Sequence, residues 1–324
     1  MAIIAVSDVH LGYVDPDTGE CSDEAKFVSF LGDMESGNLV ENDKISDFVI
    51  CGDFLDMWRR DMAGVAIEHF DILNKLQNLQ EQQKIKVHYL AGNHDYHVYN
   101  LGKYNYQFDL LKHYPPRTGF TIPEGDKTYW FKHGYDFERL MSESECFFEI
   151  LSSTSDETGE LKSWLWDLLS NIAAARDAGI DKCLKILENT ADEILGKHIE
   201  SVFRPKWCNS SGVQEFNIPN KDKMRELKKP FAIRIQPPEA KSSFNDSLNK
   251  SLKENIPLIF GHTHMPFHYE KDKKKAINLG SWIIPKNKDR NYDTYLEIKK
   301  GQERLLDYRT KEELPKTDVL PIIT

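Results

Sequence analysis

The chain is poor in cysteine and has no long apolar run, and each shortage excludes something. Five cysteines are scattered over 324 residues without paired spacing, which argues against a disulfide framework. No stretch approaches the ~20 consecutive apolar residues of a membrane-spanning helix, so no transmembrane segment is expected. Positive charge is also in short supply: 42 Lys and Arg face 52 Asp and Glu, for a formal net charge of −10. That balance gives no general electrostatic reason to bind nucleic acid, although a local basic patch is compatible with it. The first apolar run begins at Ile3 and leaves no room for a secretion signal. A cytoplasmic protein is therefore expected. Hydrophobic residues at 40% and charged residues at 29% suit a globular enzyme. The length allows one large domain, or one domain carrying an insertion.

What the chain does have is one design repeated five times: a short apolar run followed by a tight cluster of metal-type ligands. Ile3–Val6 leads into Asp8 and His10. Phe48–Cys51 leads into Gly52, Asp53 and Asp56. Val87–Ala91 leads into Gly92, Asn93, His94 and Asp95. Tyr129–Phe131 leads into His133 and Gly134, and Pro257–Phe260 into Gly261, His262 and His264. Short continuous apolar runs read as buried strands. In open α/β sheets chemistry gathers beyond the carboxyl ends of strands, so five strands are expected to deliver carboxylates, an amide and imidazoles to one place. The glycines beside the ligands fit sharp turns and close backbone approach.

Imidazole suits zinc, iron and related ions, while carboxylate and carbonyl oxygens suit manganese and magnesium. The mixed set, without cysteine, fits a pair of divalent ions, manganese first, with iron, zinc or cobalt as alternatives. Two such ions ~3.5–4 Å apart can clamp the attacking and leaving oxygens of a phosphoryl displacement. Two dications repel, so they need a shared anionic ligand, and Asp53 is the natural bridge.

Asp8-x-His10, Gly52-Asp53-x-x-Asp56, Gly92-Asn93-His94-Asp95, His133-Gly134 and Gly261-His262-x-His264 together resemble the motif set of the calcineurin-like metallophosphoesterases, in the same order and at similar spacing. The resemblance implies a four-layer αββα sandwich. It implies one metal held by Asp8, His10, Asp53 and His264, and another by Asp53, Asn93, His133 and His262. A hydroxide bridging the two ions would be the nucleophile. His94 would donate a proton or hydrogen bond to the leaving oxygen, and Asp56 would orient that imidazole. Asp56 also reads as a helix cap. Asp95 is a second candidate partner for His94, or a structural hydrogen-bonding residue. Asn278-Leu279-Gly280-Ser281 resembles a further element of the family that adds no chemistry of its own.

The run Gly52-Asp53-Phe54-Leu55-Asp56-Met57-Trp58 resembles the UDP-2,3-diacylglucosamine hydrolase group, which cleaves a nucleotide–lipid pyrophosphate and carries a helical insertion. His94 stands where the bacterial enzymes commonly carry arginine, so another phosphodiester or pyrophosphate is an equal expectation. Two other readings differ in class. Asp8–Gly12 also resembles double-strand-break repair nucleases, which would need a basic DNA track. A non-catalytic metal-binding scaffold is the other.

Residues 1–138 and 245–324 carry the motifs and read as the core. Residues 139–244 carry none and read as a helical insertion: Leu165, Leu168, Leu169 and Ile172 follow helical spacing, as do Leu187, Ala191, Ile194, Leu195 and Val202. Lying between His133 and His262, the insertion is expected to act as a lid, with an oligomer interface as the alternative. Trp164 and Trp166 point to different helix faces and are the substrate-binding candidates. The basic stretch Lys221–Arg234 could meet a phosphate or nucleotide end, and a lipid-linked substrate would bring transient membrane-lipid contact. Ile67, Phe70, Leu73, Leu76 and Leu79 suggest a helix packed on a sheet, Glu270–Lys275 a hairpin turn, and the residues after Pro315 a loose tail.

Overall fold

The computed structural model of the chain describes residues 1–15, 18–41, 43–58, 62–103, 112–114, 117–137, 244–286 and 291–321. The expected helical insertion, with Trp164, Trp166 and the Lys221–Arg234 stretch, lies outside the described residues.

The first half contributes β1 (Ala2–Val6), β2 (Cys21–Ser22), β3 (Ile45–Cys51), β4 (Lys86–Leu90), β5 (Lys112–Tyr114), β6 (Phe120–Glu124) and β7 (Lys127–Phe131). Its helices are α1 (Glu24–Ser36), α2 (Met62–Glu68), α3 (Phe70–Glu81) and α4 (Tyr96–Lys103). The second contributes α5 (Phe244–Ser251), β8 (Leu258–Phe260), β9 (Phe267–Lys271), β10 (Lys274–Asn278), β11 (Ile283–Ile284), β12 (Thr294–Lys299), β13 (Gln302–Asp307) and β14 (Lys316–Thr317). One six-stranded sheet runs β13-β12-β1-β3-β4-β5, another runs β14-β9-β10-β8-β7-β6, and β11 pairs with β2. Strands β1, β3, β4 and β5 are parallel, as are β7, β8 and β10.

Period-two alternation builds the layers. Ile4, Val6, Phe48, Ile50, Val87 and Tyr89 face outward and pack with Phe27, Phe30, Leu31 and Met34 of α1 and Ile72, Leu76 and Leu79 of α3. Their neighbours Ile3, Ala5, Val49, Cys51 and Leu90 face inward and meet Tyr129, Phe131, Ile259 and Ile277 of the second sheet. Behind that sheet, Phe244 and Leu248 of α5 cover Leu258, Phe260, Phe267 and Ala276. The order helix, sheet, sheet, helix is the αββα sandwich. Strands covered on both faces are apolar throughout, which is why β1 is buried at every residue. Each fully buried Ile, Val or Phe contributes ~1.5–3 kcal/mol.

Asp23 caps α1 by accepting from the Lys26 amide at 3.1 Å, and Gly37, at φ 74°, ends it. Asp272 and Lys273, both at positive φ, form the expected hairpin turn between β9 and β10. Two expectations change. Ile67 and Phe70 are 76% and 64% exposed; the chain breaks between α2 and α3 at His69, and the buried stripe of α3 is Ile72, Leu76 and Leu79. A spacing of three drifts around a helix of 3.6 residues per turn, whereas that stripe follows i, i+4, i+7. The described residues after Pro315 are also tied down: Lys316 and Thr317 pair with β9, and Asn245 Nδ2 donates to the Pro321 carbonyl at 2.9 Å. No described helix is long and apolar enough to cross a membrane.

Candidate metal centre

All five motif strands end on the same side. Beyond β1 and β3 the two chains stay paired: the Asp8 amide donates to the Gly52 carbonyl at 3.1 Å, the His10 amide to the Asp53 carbonyl at 2.9 Å and the Leu11 amide to the Phe54 carbonyl at 2.8 Å. This loop ladder sets Asp8, His10 and Asp53 side by side. From the facing sheet, the Gly261 amide donates to the His133 carbonyl at 2.9 Å, which aligns the ends of β7 and β8.

The backbone here is strained. Asp8, His10, Asp53, His262 and His264 have φ of 53°, 50°, 49°, 70° and 56°, a left-handed conformation that costs a non-glycine residue of order 1 kcal/mol or more. Such strain clusters at functional sites. Close approach explains two of the glycines: a Cβ at Gly92 would lie 2.1 Å from Asp53 Oδ1, and one at Gly261 would lie 2.1 Å from Asp8 Oδ2.

The ligand-type atoms converge as two groups joined at Asp53. Atoms of Asp8, His10 and His264 lie within 4.8 Å of one another, as do those of Asp53, His133 and His262. His10 Nε2 is 3.2 Å from His264 Nε2 and 3.7 Å from Asp53 Oδ2. Asn93 Oδ1 lies 3.1 Å from both His133 Nε2 and His262 Nδ1, and Asp53 Oδ2 lies 3.2 Å from His133 Nε2. All seven residues assigned to metal from sequence are thus brought together.

The donor chemistry fits cations. His133 Nδ1 faces the Cys51 carbonyl at 2.9 Å; a carbonyl only accepts, so Nδ1 carries the proton. Nε2 is then left pointing at two oxygens, Asn93 Oδ1 and Asp53 Oδ2, which demands either a second proton or a metal ion. His10 Nε2 and His264 Nε2, 3.2 Å apart, can share one proton as an N–H···N bond or both turn their lone pairs to a cation. Asp8 Oδ1 is buried without a hydrogen-bond partner.

Electrostatics prepares the anionic ligands. Burial alone would raise the carboxyls of Asp8 and Asp53, but the imidazoles around them hold both well below the ordinary range. Burial lowers His10, and burial with the charge of His133 pushes His262 down to about 3, so both are in the neutral form that binds metal. Burial opposes charge on His133, yet the Asp53 carboxylate wins and raises it to about 10. His264 is raised in the same way by Asp8.

His94 sits at the edge of this cluster. Its amide donates to Asp53 Oδ1 at 2.8 Å, and its Nδ1 lies 2.9 Å from Asp56 Oδ1. A ring nitrogen of His94 also lies within 4.8 Å of ligand atoms of His10 and Asp53. Asp56 is wholly buried, and its Oδ1 faces His94 Nδ1. Asp95 does something else. It accepts from the amides of Gly92 at 2.6 Å, Phe54 at 2.7 Å and Leu55 at 3.3 Å, and from the Tyr89 hydroxyl. Burial and the charge of Asp53 push it up to about 6. Asp95 therefore pins the β3 loop to the β4 loop. Asn278 plays a similar part: its Nδ2 donates to the Gly261 carbonyl at 2.8 Å and to Thr263 Oγ1 at 3.0 Å, splinting the loop of His262 and His264. Sequence reasoning marked Asn278 as part of a motif but gave it no task.

The family model described as calcineurin-like phosphoesterase matches residues 1–273. Among solved structures the chain is similar to YfcE, a phosphoesterase from E. coli, at 14% identity, with 97% of each chain covered and a TM-score of 0.43. It is also similar to a conserved protein of Streptococcus pneumoniae described as a predicted phosphoesterase, at 13% identity, with 97% of this chain and 92% of that one covered and a TM-score of 0.32. None of the curated proteins matches. The family match runs from β1 to the β9–β10 turn and takes in every one of the ligand residues from Asp8 to His264: the chain belongs to the calcineurin-like phosphoesterase family.

Proposed function

We propose that this site hydrolyses a phosphodiester or pyrophosphate bond with two divalent ions, manganese first among them. The observation that carries the reading is the join at Asp53, whose carboxylate stands between the group of Asp8, His10 and His264 and that of Asn93, His133 and His262. Asp8, His10, Asp53 and His264 would hold one ion, and Asp53, Asn93, His133 and His262 the other. When bound, the ions neutralise charge on the phosphoryl oxygens and lower the pKa of water from 15.7 to about 7.

The chain's own residues do the rest. Asp56 accepts from His94 Nδ1–H and so fixes the direction of the ring, and the donor form is the imidazolium, with a second N–H at Nε2. As the bond from phosphorus to the leaving oxygen breaks, His94 Nε2 passes its proton to that oxygen, which departs as an alcohol or a phosphate monoester. Such proton transfer contributes typically 10²–10⁴-fold. The Asp95 and Asn278 clamps hold the loops in place while charge moves.

For substrate, the run ending Asp56-Met57-Trp58 points to a nucleotide-linked lipid pyrophosphate of the UDP-2,3-diacylglucosamine hydrolase type, in a cytoplasmic setting, with another phosphodiester or pyrophosphate as an equal reading. The intervening segment serves as a lid in this reading. The described residues that flank it, Phe137 and Phe244, have rings 5.6 Å apart, and Phe137 is 5.6 Å from Phe260 beside Gly261. The lid, with Trp164 and Trp166 as its substrate-binding residues, is read from the sequence, the segment lying outside the described residues.

A metal-supplemented activity screen over phosphomonoesters, phosphodiesters and nucleotide pyrophosphates tests the reading. Manganese-dependent turnover of a diester or pyrophosphate is expected. No turnover of any class with any of the four metals would sink it.

A further inference from the structure

Trp58 lies just beyond Asp56 and is 4% exposed. Its indole stacks on the His94 imidazole, with centroids 3.9 Å apart and planes 17° apart. Its Nε1–H donates to the Asn93 carbonyl at 2.8 Å. One side chain thus grips two consecutive residues, a metal-ligand candidate and the candidate proton donor.

The contacts of His94 divide into those that place it and those that orient it. The amide bond to Asp53 places the backbone. The bond at Nδ1 to Asp56 places one nitrogen, but an in-plane hydrogen bond sets the tilt of the ring plane only weakly. A change of tilt would carry Nε2 away from a leaving oxygen. A flat aromatic face removes that freedom, because offset stacking holds two planes together. The His10 ring meets His94 edge-on at 4.6 Å and limits motion on another side.

We propose that Trp58 is a positioning residue that sets the plane of His94 and couples it to the Asn93 peptide, so that proton donor and metal ligand keep a fixed relation. The proposal rests on the reading of His94 as the proton donor. Its consequence is selective: loss of the stack harms the chemical step most where the leaving group needs a proton. A tryptophan that only filled space would not discriminate between leaving groups.

The test compares Trp58→Leu, Trp58→Phe and His94→Ala in the full chain, with three readouts. Bound metal is counted by elemental analysis. The His94 Cε1–H resonance is followed by NMR in the metal-free protein, where the indole ring current shifts it upfield. The kcat and KM are measured for two diesters, one with an alkyl and one with a nitrophenolate leaving group. Trp58→Leu is expected to keep two ions, lose the upfield shift and lose about 10–100-fold in kcat on the alkyl diester, with a smaller loss on the nitrophenyl diester and little change in KM. Trp58→Phe, which keeps an aromatic face, recovers most of both the shift and the kcat. Trp58→Met makes the same contrast if the leucine variant does not fold. Equal kcat losses for the two leaving groups, or a phenylalanine variant as impaired as the leucine one, overturn the positioning role. If His94→Ala itself shows no leaving-group dependence, the reading of His94 falls and takes the proposal with it. Dependence in His94→Ala without any in the Trp58 variants removes Trp58 alone.

Discussion

Around Asp8, His10 and His264 the ligand cluster opens toward solvent, with the His264 side chain 40% exposed. Around Asn93 and His133 it is closed: His133 is wholly buried and bound through Nδ1 to the Cys51 carbonyl, in the heart of the inter-sheet core. Both groups depend on Asp53. The difference teaches that the two halves of the site are held by different forces. The open half is held by loop geometry, namely the ladder between the β1 and β3 loops and left-handed turns at Asp8, His10 and His264. The closed half is held by strand packing and by the hydrogen bonds of the core itself.

The strongest test removes what the halves share. Asp53→Asn keeps the shape but halves the charge-bearing oxygens. It should weaken both ions by more than the ~10–100-fold that losing a ligand's hydrogen-bond partner costs, and abolish measurable turnover. Titration calorimetry and metal analysis check this. Full retention of one tightly bound ion would show that the halves do not share Asp53.

His94 is next in size. Its ring nitrogen is near enough to His10 and Asp53 to be a ligand itself, which would blur the division into two groups. We expect His94→Ala to keep two ions and lose ~10²–10⁴-fold in kcat, with the smaller loss for nitrophenolate. A variant binding only one ion would place His94 in the ligand set instead.

How legible was this in the sequence? The ligands were legible because each is local: an apolar strand followed within a few residues by its polar cluster, as in Phe48–Cys51 and Asp53. The helix over residues 70–81 was also legible, but its face was not. Ile67 and Phe70 looked periodic with Leu73, yet they lie across the break at His69, where no turn signal of Gly or Pro marks the end of α2. The strand at Lys316 was hidden because two residues carry no period; only the neighbouring β9 edge makes them a strand. Asp95 and Trp58 belong to a third kind. Their tasks arise from partners distant in the chain, Phe54 for Asp95 and Asn93 and His94 for Trp58, and no spacing rule reaches across loops.

Replacing one histidine in each half sharpens the comparison directly. His264→Ala should weaken one ion while destabilising the metal-free fold less than His133→Ala does, by up to about 1 kcal/mol, as for a part-exposed pair with Asp8. His133→Ala should weaken the other ion and also destabilise the metal-free fold by about 1–3 kcal/mol, because the Cys51 carbonyl loses its buried donor. Urea unfolding of both variants separates the cases. Equal destabilisation would mean that the open half is as structural as the closed one.

The remaining test contrasts these histidines with one outside the ligand set, and its effect at neutral pH is the smallest. His268 in β9 is wholly buried, and both ring nitrogens lack hydrogen-bond partners. It lies in register with Lys316 of β14 on one side and Ile277 of β10 on the other, with Glu303, Lys275 and Glu270 as the further charges around it. Burial, helped by the charge of Lys316, pushes it down to about 4 from an ordinary value of 6.5. The unfolded chain therefore takes up this proton before the folded chain does. The stability tied to His268 is complete above pH ~6.5, falls as pH drops through the window toward 4, and levels off below it. Over the whole window the loss approaches about 3 kcal/mol, and less where water reaches the ring. His268→Leu should remove that slope, so unfolding curves of the metal-free variant and parent at pH 7.5, 6 and 4.5 should converge or cross as pH falls. Parallel pH dependences would show that β14 and the neighbouring carboxylates, rather than the imidazole, govern the acid sensitivity of this edge. They would also show that a buried histidine without partners can sit in this fold at little electrostatic cost, which would weaken the inference from unsatisfied nitrogens to cations at the site itself.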